Sequence, residues 1–262
     1  MRVTQPAVNF DEFSVAVPKL IRYPTLRQLA ERVQSETLKT LQAPPTPTLE
    51  IPASSKLYGT SVEGTSNSVR LLDSLYQTPI ADASILVAIT HERHPKLLLT
   101  RRAAHMTSHA GEVSCAGGKL EIGDGNNVVT ALREACEETA LPPNKVQLLG
   151  QLPIQISKSG MSVRPIVALI APDLALVPEL GEISRIFWAD FEALLTQPTV
   201  EYVIEYTMQD QTATLVTPSW QVDGETVWGL TGKVIASLLE TGFDRQFEWY
   251  YRLQESGLYL DR

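Results

Sequence analysis

The stretch GKLEIGDGNNVVTALREACEETAL, residues 118–141, decides the fold more than any other part of the chain. It predicts a helix that starts near Asn127, a favourable N-cap residue, and ends before Pro142 and Pro143, which cannot continue a helix. Apolar residues three and four positions apart predict the face that packs on the core: Val129, Leu132 and Cys136. A glycine-rich segment therefore leads into an amphipathic helix.

A second face of this predicted helix is acidic. Glu134, Glu137 and Glu138 stand at i, i+3 and i+4, so their side chains share one side of the helix. Like charges at this spacing destabilise a helix by roughly 0.2–0.5 kcal/mol per pair unless something compensates them. A divalent cation would reverse the repulsion, because Mg²⁺ and Mn²⁺ favour carboxylate oxygens. Taken alone, the cluster is also typical of a solvated acidic surface, and both interpretations stay open.

The residues around these glutamates resemble the Nudix box, in which a glycine and an acidic residue precede Arg-Glu, Glu-Glu, a second glycine and an aliphatic residue. The matching positions are Gly118, Asp124, Arg133, Glu134, Glu137, Glu138 and Leu141. There are departures: the box usually has glutamate at the position of Asp124, the gap from there to Arg133 is one residue longer than in the commonest box, and Ala140 replaces the last glycine.

The longer gap is typical of the coenzyme A diphosphatase branch of that family. Residues 98–119, LLTRRAAHMTSHAGEVSCAGGK, also resemble a motif of this branch, although Cys115 and Ala116 stand where the branch has Phe-Pro. The later segments SGMSVRPIVALI and WQVDGETVWGLT resemble it too, so that the resemblance covers about residues 83–240. This combination identifies the chain as similar to Nudix hydrolases of the coenzyme A diphosphatase type.

The resemblance implies a metal-dependent hydrolase of a pyrophosphate bond. Glu134, Glu137 and Glu138 would bind Mg²⁺ or Mn²⁺ and, with Arg133 orienting Glu137, would form the catalytic face. Glu182 is a candidate general base, but a solvated loop glutamate is an equally good interpretation. The residues expected to bind substrate are Arg102, His109, Gly117, Gly118 and Lys119. Coenzyme A or an acyl derivative would yield 3′,5′-ADP and (acyl-)4′-phosphopantetheine.

Two other functions remain open. The chain could be a Nudix hydrolase of another nucleoside diphosphate derivative, such as NADH, ADP-ribose or a nucleotide sugar. It could also be a Nudix-fold binding module without turnover, although such a module would not need three glutamates on one helix face. In each case the expected partner is a small, dinucleotide-like molecule.

The rest of the chain predicts an α/β or α+β protein, a Nudix-type α/β/α sandwich around a mixed β-sheet. Strands are predicted at residues 84–90, 96–100, 165–171 and 183–189, and a short helix at 191–195. Asp223-Gly224 suits the turn of a hairpin. The helix that follows would end at Gly242 as its C-cap.

We assign residues 81–262 to the Nudix domain and residues 1–80 to a mainly helical or irregular extension. In the extension, Thr25 and Gln28 form a capping-box pattern ahead of a helix with Leu26, Leu29, Val33 and Leu41 on one face. A linker rich in Pro, Ser and Thr follows to about residue 68, and a short helix is predicted at 69–76. The extension could cover the sheet, mediate a homodimer or be partly disordered.

Composition narrows the range of partners and compartments. The formal net charge of −8 argues against nucleic-acid binding through a general positive field. Cys115 and Cys136 are too few for a disulfide framework and fit reduced thiols. The sequence has no run of 18 apolar residues and no N-terminal apolar signal region, so no membrane partner is expected. These features predict a cytoplasmic location.

Overall fold

The structure is a computed structural model that describes residues 12–39, 66–77, 80–208, 211–247, 250–253 and 259–260. Its helices are α1 Pro24–Lys39, α2 Ser66–Gln77, α3 Asn127–Thr139, α4 Phe191–Thr196 and α5 Gly229–Phe243. The first nine strands are β1 Ser14–Val15, β2 Ala83–Thr90, β3 Lys96–Arg102, β4 Val113–Ser114, β5 Gly117–Lys119, β6 Val146–Gln151, β7 Gln155–Ile156, β8 Ser162–Ile170 and β9 Ile183–Asp190. The remaining strands are β10 Val200–Met208, β11 Gln211–Val222, β12 Glu225–Val227, β13 Tyr250–Leu253 and β14 Tyr259–Leu260.

The strands β1 to β9 form one mixed sheet. Its main order is β1-β6-β8-β2-β3-β4, with β5 added to β2, β7 to β8 and β9 to β3. The central pair β2–β8 is parallel, whereas β2–β3, β3–β9 and β6–β8 are antiparallel. The predicted strands and the short helix α4 are thus confirmed within two residues of their expected ends, except that β8 begins at Ser162, three residues before its predicted start.

Alternate residues of the central strands pack into two separate cores. Val87 and Ile89 of β2 contact the core that contains α1, α4 and α5, whereas Leu86 and Ala88 point to the core that contains α2 and α3. Successive side chains of a strand face opposite sides of a sheet, so continuous apolar runs are needed where both faces are covered. The expected α/β/α sandwich is therefore present.

The N-terminal residues that the structure describes belong to this sandwich. The strand β1 pairs with β6 in parallel, and Leu26, Leu29 and Val33 of α1 are fully buried. The predicted helix is confirmed. The predicted capping box of Thr25 and Gln28 is not, because α1 already begins at Pro24 and the side chain of Gln28 donates a hydrogen bond to the carbonyl oxygen of Gly242. The predicted Leu41 and the linker up to residue 65 lie outside the described residues.

The contact between α1 and α5 shows that the C-cap role predicted for Gly242 is wrong. The C-cap of α5 is Asp244, with a φ of 56°. Gly242 lies inside the helix, where a Cβ would stand 2.6 Å from Cδ1 of Leu29. The glycine therefore permits close packing of α5 on α1. Its place near the end of the helix suggested a C-cap, but the reason for a glycine here is the contact with α1.

The C-terminal strands form a second sheet. The strands β10, β11, β13 and β14 pair in that order, and β12 pairs with β11. Asp223 and Gly224 have φ values of 52° and 81°, so the predicted hairpin turn is confirmed. None of the helices in the described ranges is long and apolar enough to cross a membrane.

Candidate active site

Helix α3 is fixed at both ends by local geometry. Its N-cap is Asn126, whose side-chain oxygen accepts hydrogen bonds from the backbone of Val128 and Val129, so the cap lies one residue before the predicted Asn127. The side chain of Asn127 instead bonds the backbone of Ala81 at the entrance to β2. At the C-terminus, Ala140 adopts a φ of 56° where the Nudix box has glycine.

The three glutamates share one side of α3 but differ in exposure. Glu138 is buried, with 4% of its surface exposed, and accepts a hydrogen bond from the backbone N–H of Gly117 at 3.2 Å. Glu134 is partly buried, and the side chain of Glu137 is 57% exposed. The face therefore runs from the interior at Glu138 to solvent at Glu137.

Arg133 connects this face to the loop before the helix. Its guanidinium donates to Asp124 at 2.8 and 3.1 Å and to the carbonyl oxygen of Lys119 at 3.1 Å. Its Nη1 also lies 3.0 Å from Oε1 of Glu134 and 3.0 Å from Oε2 of Glu137. The contact with Glu137 is the one expected from the i, i+4 spacing, whereas the buried pair with Asp124 was not predicted.

Asp124 is held in its ionised form by these partners. Burial raises the pKa of Asp124, but the hydrogen bonds from Arg133, the backbone of Glu121 and the hydroxyl of Thr130 lower it more, so that the net pKa lies below the ordinary value. The hydrogen bond to Asp124 also raises the pKa of Arg133. The pair therefore stays charged across the physiological pH range.

The pKa values of Glu134 and Glu138 are shifted in the opposite direction. Burial raises the pKa of Glu138 to about 8, and the negative charges of Glu134 and Glu182 add to that rise. Burial and the charges of Glu137 and Glu182 likewise raise the pKa of Glu134, against the opposing effect of Arg133. Glu182, an exposed residue just before β9, is thus close enough to act on both glutamates.

Gly117 and Gly118 let strand β5 approach both β2 and α3. A Cβ on Gly117 would collide with the backbone of Ser84 and Ile85, and a Cβ on Gly118 would collide with the carboxylate of Glu134. The two residues therefore do more than form a turn. They bring the backbone of β5 directly against the acidic face, at a distance that a side chain at either position would prevent.

The remaining predicted substrate residues lie at different distances from this face. Nη1 of Arg102 is 3.6 Å from Oε1 of the buried Glu138. His109 is exposed on a turn with a φ of 54° and pairs with Glu112 at 2.8 Å. Lys119 has an exposed side chain, and its backbone oxygen is what binds Arg133. Only Arg102 of these three has a side chain in direct contact with the carboxylates of α3 in the structure.

The donor set suits a divalent cation, although the side chains do not converge on one. Within the described ranges, no three His, Cys, Asp or Glu side chains are arranged to hold a metal ion. The reason is visible in the contacts, since Arg133 draws Glu134 and Glu137 together while Glu138 turns to Gly117 and Arg102. Glu138 nevertheless is a buried carboxylate whose negative charge is only partly offset by Gly117 and Arg102, and a bound cation would stabilise that charge.

Comparison with known proteins places the chain in a family. Residues 81–209 match the NUDIX domain. The chain is 38% identical over 156 residues to an uncharacterized Nudix hydrolase, NudL, of Pectobacterium atrosepticum, a match that covers 60% of this chain and 80% of that protein. The NudL protein of Escherichia coli K12 is 35% identical over 156 residues, with the same coverage. The chain belongs to the Nudix hydrolases and is a pyrophosphohydrolase.

Solved structures with a related fold are more distant in sequence. An Ap4A hydrolase of Caenorhabditis elegans gives a TM-score of 0.37 at 18% identity and covers 42% of this chain and 80% of that chain. The NUDIX domain of Shewanella oneidensis NrtR, crystallised with ADP ribose, gives a TM-score of 0.36 at 22% identity over 46% of this chain and 79% of that chain. Nudix hydrolases generally use divalent metal ions and act on small nucleotide derivatives, and both properties agree with the acidic face of α3.

Proposed function

We propose that this Nudix hydrolase cleaves the pyrophosphate bond of coenzyme A or an acyl derivative, giving 3′,5′-ADP and (acyl-)4′-phosphopantetheine. The observation that carries the proposal is the position of Arg102. This arginine belongs to the segment that resembles the coenzyme A diphosphatase branch, and its guanidinium lies 3.6 Å from Glu138 on the face that resembles the Nudix box. Arg102 and Glu138 are 36 residues apart in sequence, and their contact joins the segment upstream of Gly118 to the acidic face of α3.

The acidic face would hold the metal through Glu134, Glu137 and Glu138. Mg²⁺ or Mn²⁺ held there would supply Lewis-acid activation of the phosphate oxygens and would make a water molecule more acidic. Arg133 contributes by holding Glu134 and Glu137 at 3.0 Å from the same nitrogen atom. An arginine that orients ligating carboxylates acts through them and need not contact the substrate.

Arg102, Lys119 and His109 would bind the anionic groups of the substrate. Guanidinium and ammonium groups pair strongly with phosphate oxygens, and Arg102 lies closest to the acidic face. Gly117 and Gly118 bring the backbone of β5 close to Glu134, and the substrate phosphates would bind near this edge of the acidic face. Glu182, whose charge acts on both Glu134 and Glu138, is our candidate for accepting the proton of the attacking water.

A chromatographic product assay tests the substrate assignment. Coenzyme A, NADH and ADP-ribose are incubated separately with the protein in Mg²⁺ and then in Mn²⁺, and products are separated and identified. We expect metal-dependent release of 3′,5′-ADP from coenzyme A and little product from the other two. Turnover of NADH or ADP-ribose without turnover of coenzyme A would overturn the substrate assignment while leaving the family chemistry in place.

A further inference from the structure

The loop at residues 103–112 carries His109, and both of its ends are tied to the site. At one end, the backbone N–H of Ala103 donates to the carbonyl oxygen of Glu182 at 2.7 Å. At the other end, the carbonyl oxygen of Glu112 accepts from the backbone N–H of Arg102 at 3.0 Å. Between these points the loop is largely exposed, and His109 takes a left-handed conformation. The conformation of the loop therefore depends on contacts with residues outside it.

The loop is held from outside on both sides. Nε2 of His105 lies 3.0 Å from the carbonyl oxygen of Gly181. The β11–β12 hairpin, which follows the matched residues 81–209, lies at the other end of the loop. Trp220, Val222 and Val227 of this hairpin are buried in the core, so its strands are firmly placed. Strand β12 lies against β4, and the hydroxyl of Thr231, in the first turn of α5, donates to the carbonyl oxygen of Val113 at 2.8 Å. The hairpin and α5 therefore both contact β4, the strand that follows the loop.

Glu225 at the start of β12 joins this hairpin to the loop. Its carboxylate, 17% exposed, lies 3.4 Å from Nη1 of Arg101 and 3.6 Å from Nη1 of Arg185. Nε of Arg101 in turn donates to the carbonyl oxygen of Gly111 at 3.3 Å. Arg185 also pairs with Asp223 in the turn of the hairpin. One carboxylate from the C-terminal region thus connects, through Arg101, to the loop that contains His109.

We infer that Glu225 is a positioning residue that fixes the loop at residues 103–112 for substrate binding, acting through Arg101 and the carbonyl oxygen of Gly111. The inference rests on the proposed function insofar as His109 contacts the substrate. A carboxylate that holds an arginine between two segments restricts that arginine to one orientation, and the backbone it binds is restricted with it. The ion-pair partners of Glu225 are Arg101 and Arg185, neither of which pairs with a carboxylate of α3 in the described part of the chain, so its effect falls on substrate affinity and not on metal binding.

The test compares Glu225→Gln with Asp244→Asn. Asp244 also forms an ion pair, with Arg32 at 3.0 Å, but both partners are largely exposed and lie at the α1–α5 contact. Hydrogen–deuterium exchange is measured on the peptide covering residues 103–113 without substrate, and KM and kcat are measured on coenzyme A at saturating Mg²⁺. We expect Glu225→Gln to speed exchange in this peptide about threefold or more and to raise KM by a similar factor, with kcat nearly unchanged.

The controls separate a positioning role from a general loss of structure. Asp244→Asn should leave exchange in the peptide and KM as in the wild type. Glu225→Asp, which keeps the charge, should change exchange and KM less than Glu225→Gln does. Arg101→Gln combined with Glu225→Gln should change them no more than either substitution alone. If Glu225→Gln does not fold, Arg101→Gln carries the same test, because the side chain of Arg101 is 45% exposed.

Each outcome decides one of the two claims. Unchanged exchange in the peptide overturns the positioning role. Faster exchange with an unchanged KM overturns the link between this loop and substrate binding. If the wild-type protein does not hydrolyse coenzyme A, the proposed function fails, and the exchange measurement still decides whether Glu225 positions the loop.

Discussion

Helix α3 and the loop at residues 103–112 both bring charged side chains to the site, but they are held in different ways. In α3, the buried Arg133 binds Asp124, Glu134 and Glu137, and the contact with Glu137 follows from the i, i+4 spacing along one helix. In the loop, His109 is exposed, and the loop is held by residues distant in sequence, among them Glu225 in a different sheet, which acts through Arg101. A local network is thus preorganised by secondary structure, whereas the loop needs tertiary contacts for its conformation.

Glu137→Gln should have the largest effect on activity. The change removes one charge from the acidic face, where each proposed metal ligand would contribute several kcal/mol to stabilising the transition state, so we expect turnover to fall by about 10³-fold. The fold should remain intact, because the side chain of Glu137 is 57% exposed. Steady-state kinetics and circular dichroism check both points. Glu121→Gln is the matched control, since Glu121 is 4.0 Å from Arg133 but outside α3. Equal activity of the two variants would contradict the ligand assignment.

Gly118→Ala should disturb the local network through shape alone. A Cβ at this position collides with the carboxylate of Glu134, so we expect a loss of stability of about 1–3 kcal/mol together with reduced turnover. Gly123→Ala is the control, because a Cβ there meets nothing within 4 Å. Chemical denaturation and kinetics of both variants measure the difference. A wild-type level of activity in Gly118→Ala would show that β5 can move away from α3 without consequence.

Asp124→Asn should remove the buried ion pair with Arg133 and lower the free energy of unfolding by an amount that depends on pH. The pKa of Asp124 in the folded protein lies below its ordinary value, so its ionised form stabilises the fold at neutral pH. That contribution is present above the unfolded-state pKa of about 4 and is lost as pH falls through the lower folded-state pKa. We expect a loss of about 2 kcal/mol at pH 7 that becomes smaller in acid. Thermal unfolding at several pH values tests this, and a difference independent of pH would contradict it.

Ala140→Gly should give the smallest effect, and in the stabilising direction. Ala140 has a φ of 56°, a conformation that costs an alanine about 1 kcal/mol relative to glycine. The substitution restores the glycine of the Nudix box at the end of α3 and should raise the free energy of unfolding by about that amount, with activity unchanged. Ala140→Ser, which keeps a Cβ, should not stabilise the protein. Denaturant titrations compare the three proteins.

The sequence alone was sufficient for the features that depend on periodicity. The spacing of Glu134, Glu137 and Glu138 placed them on one helix face, and the apolar runs predicted a sheet covered on both sides. The Asp223-Gly224 turn was equally predictable, because positive φ at two successive positions demands those residue types. In each case the information lies within a few residues of the feature.

Tertiary structure decided the features whose partners are distant in sequence. Gly242 packs against Leu29 instead of capping its helix, and Asp124 forms a buried pair with Arg133. Arg102, at the end of β3, lies beside Glu138 of α3 only in the folded protein, and Glu225 reaches Arg101 only because the C-terminal hairpin lies beside β4. Periodicity fixes which side of an element a residue faces, but the identity of its neighbour depends on how the elements pack.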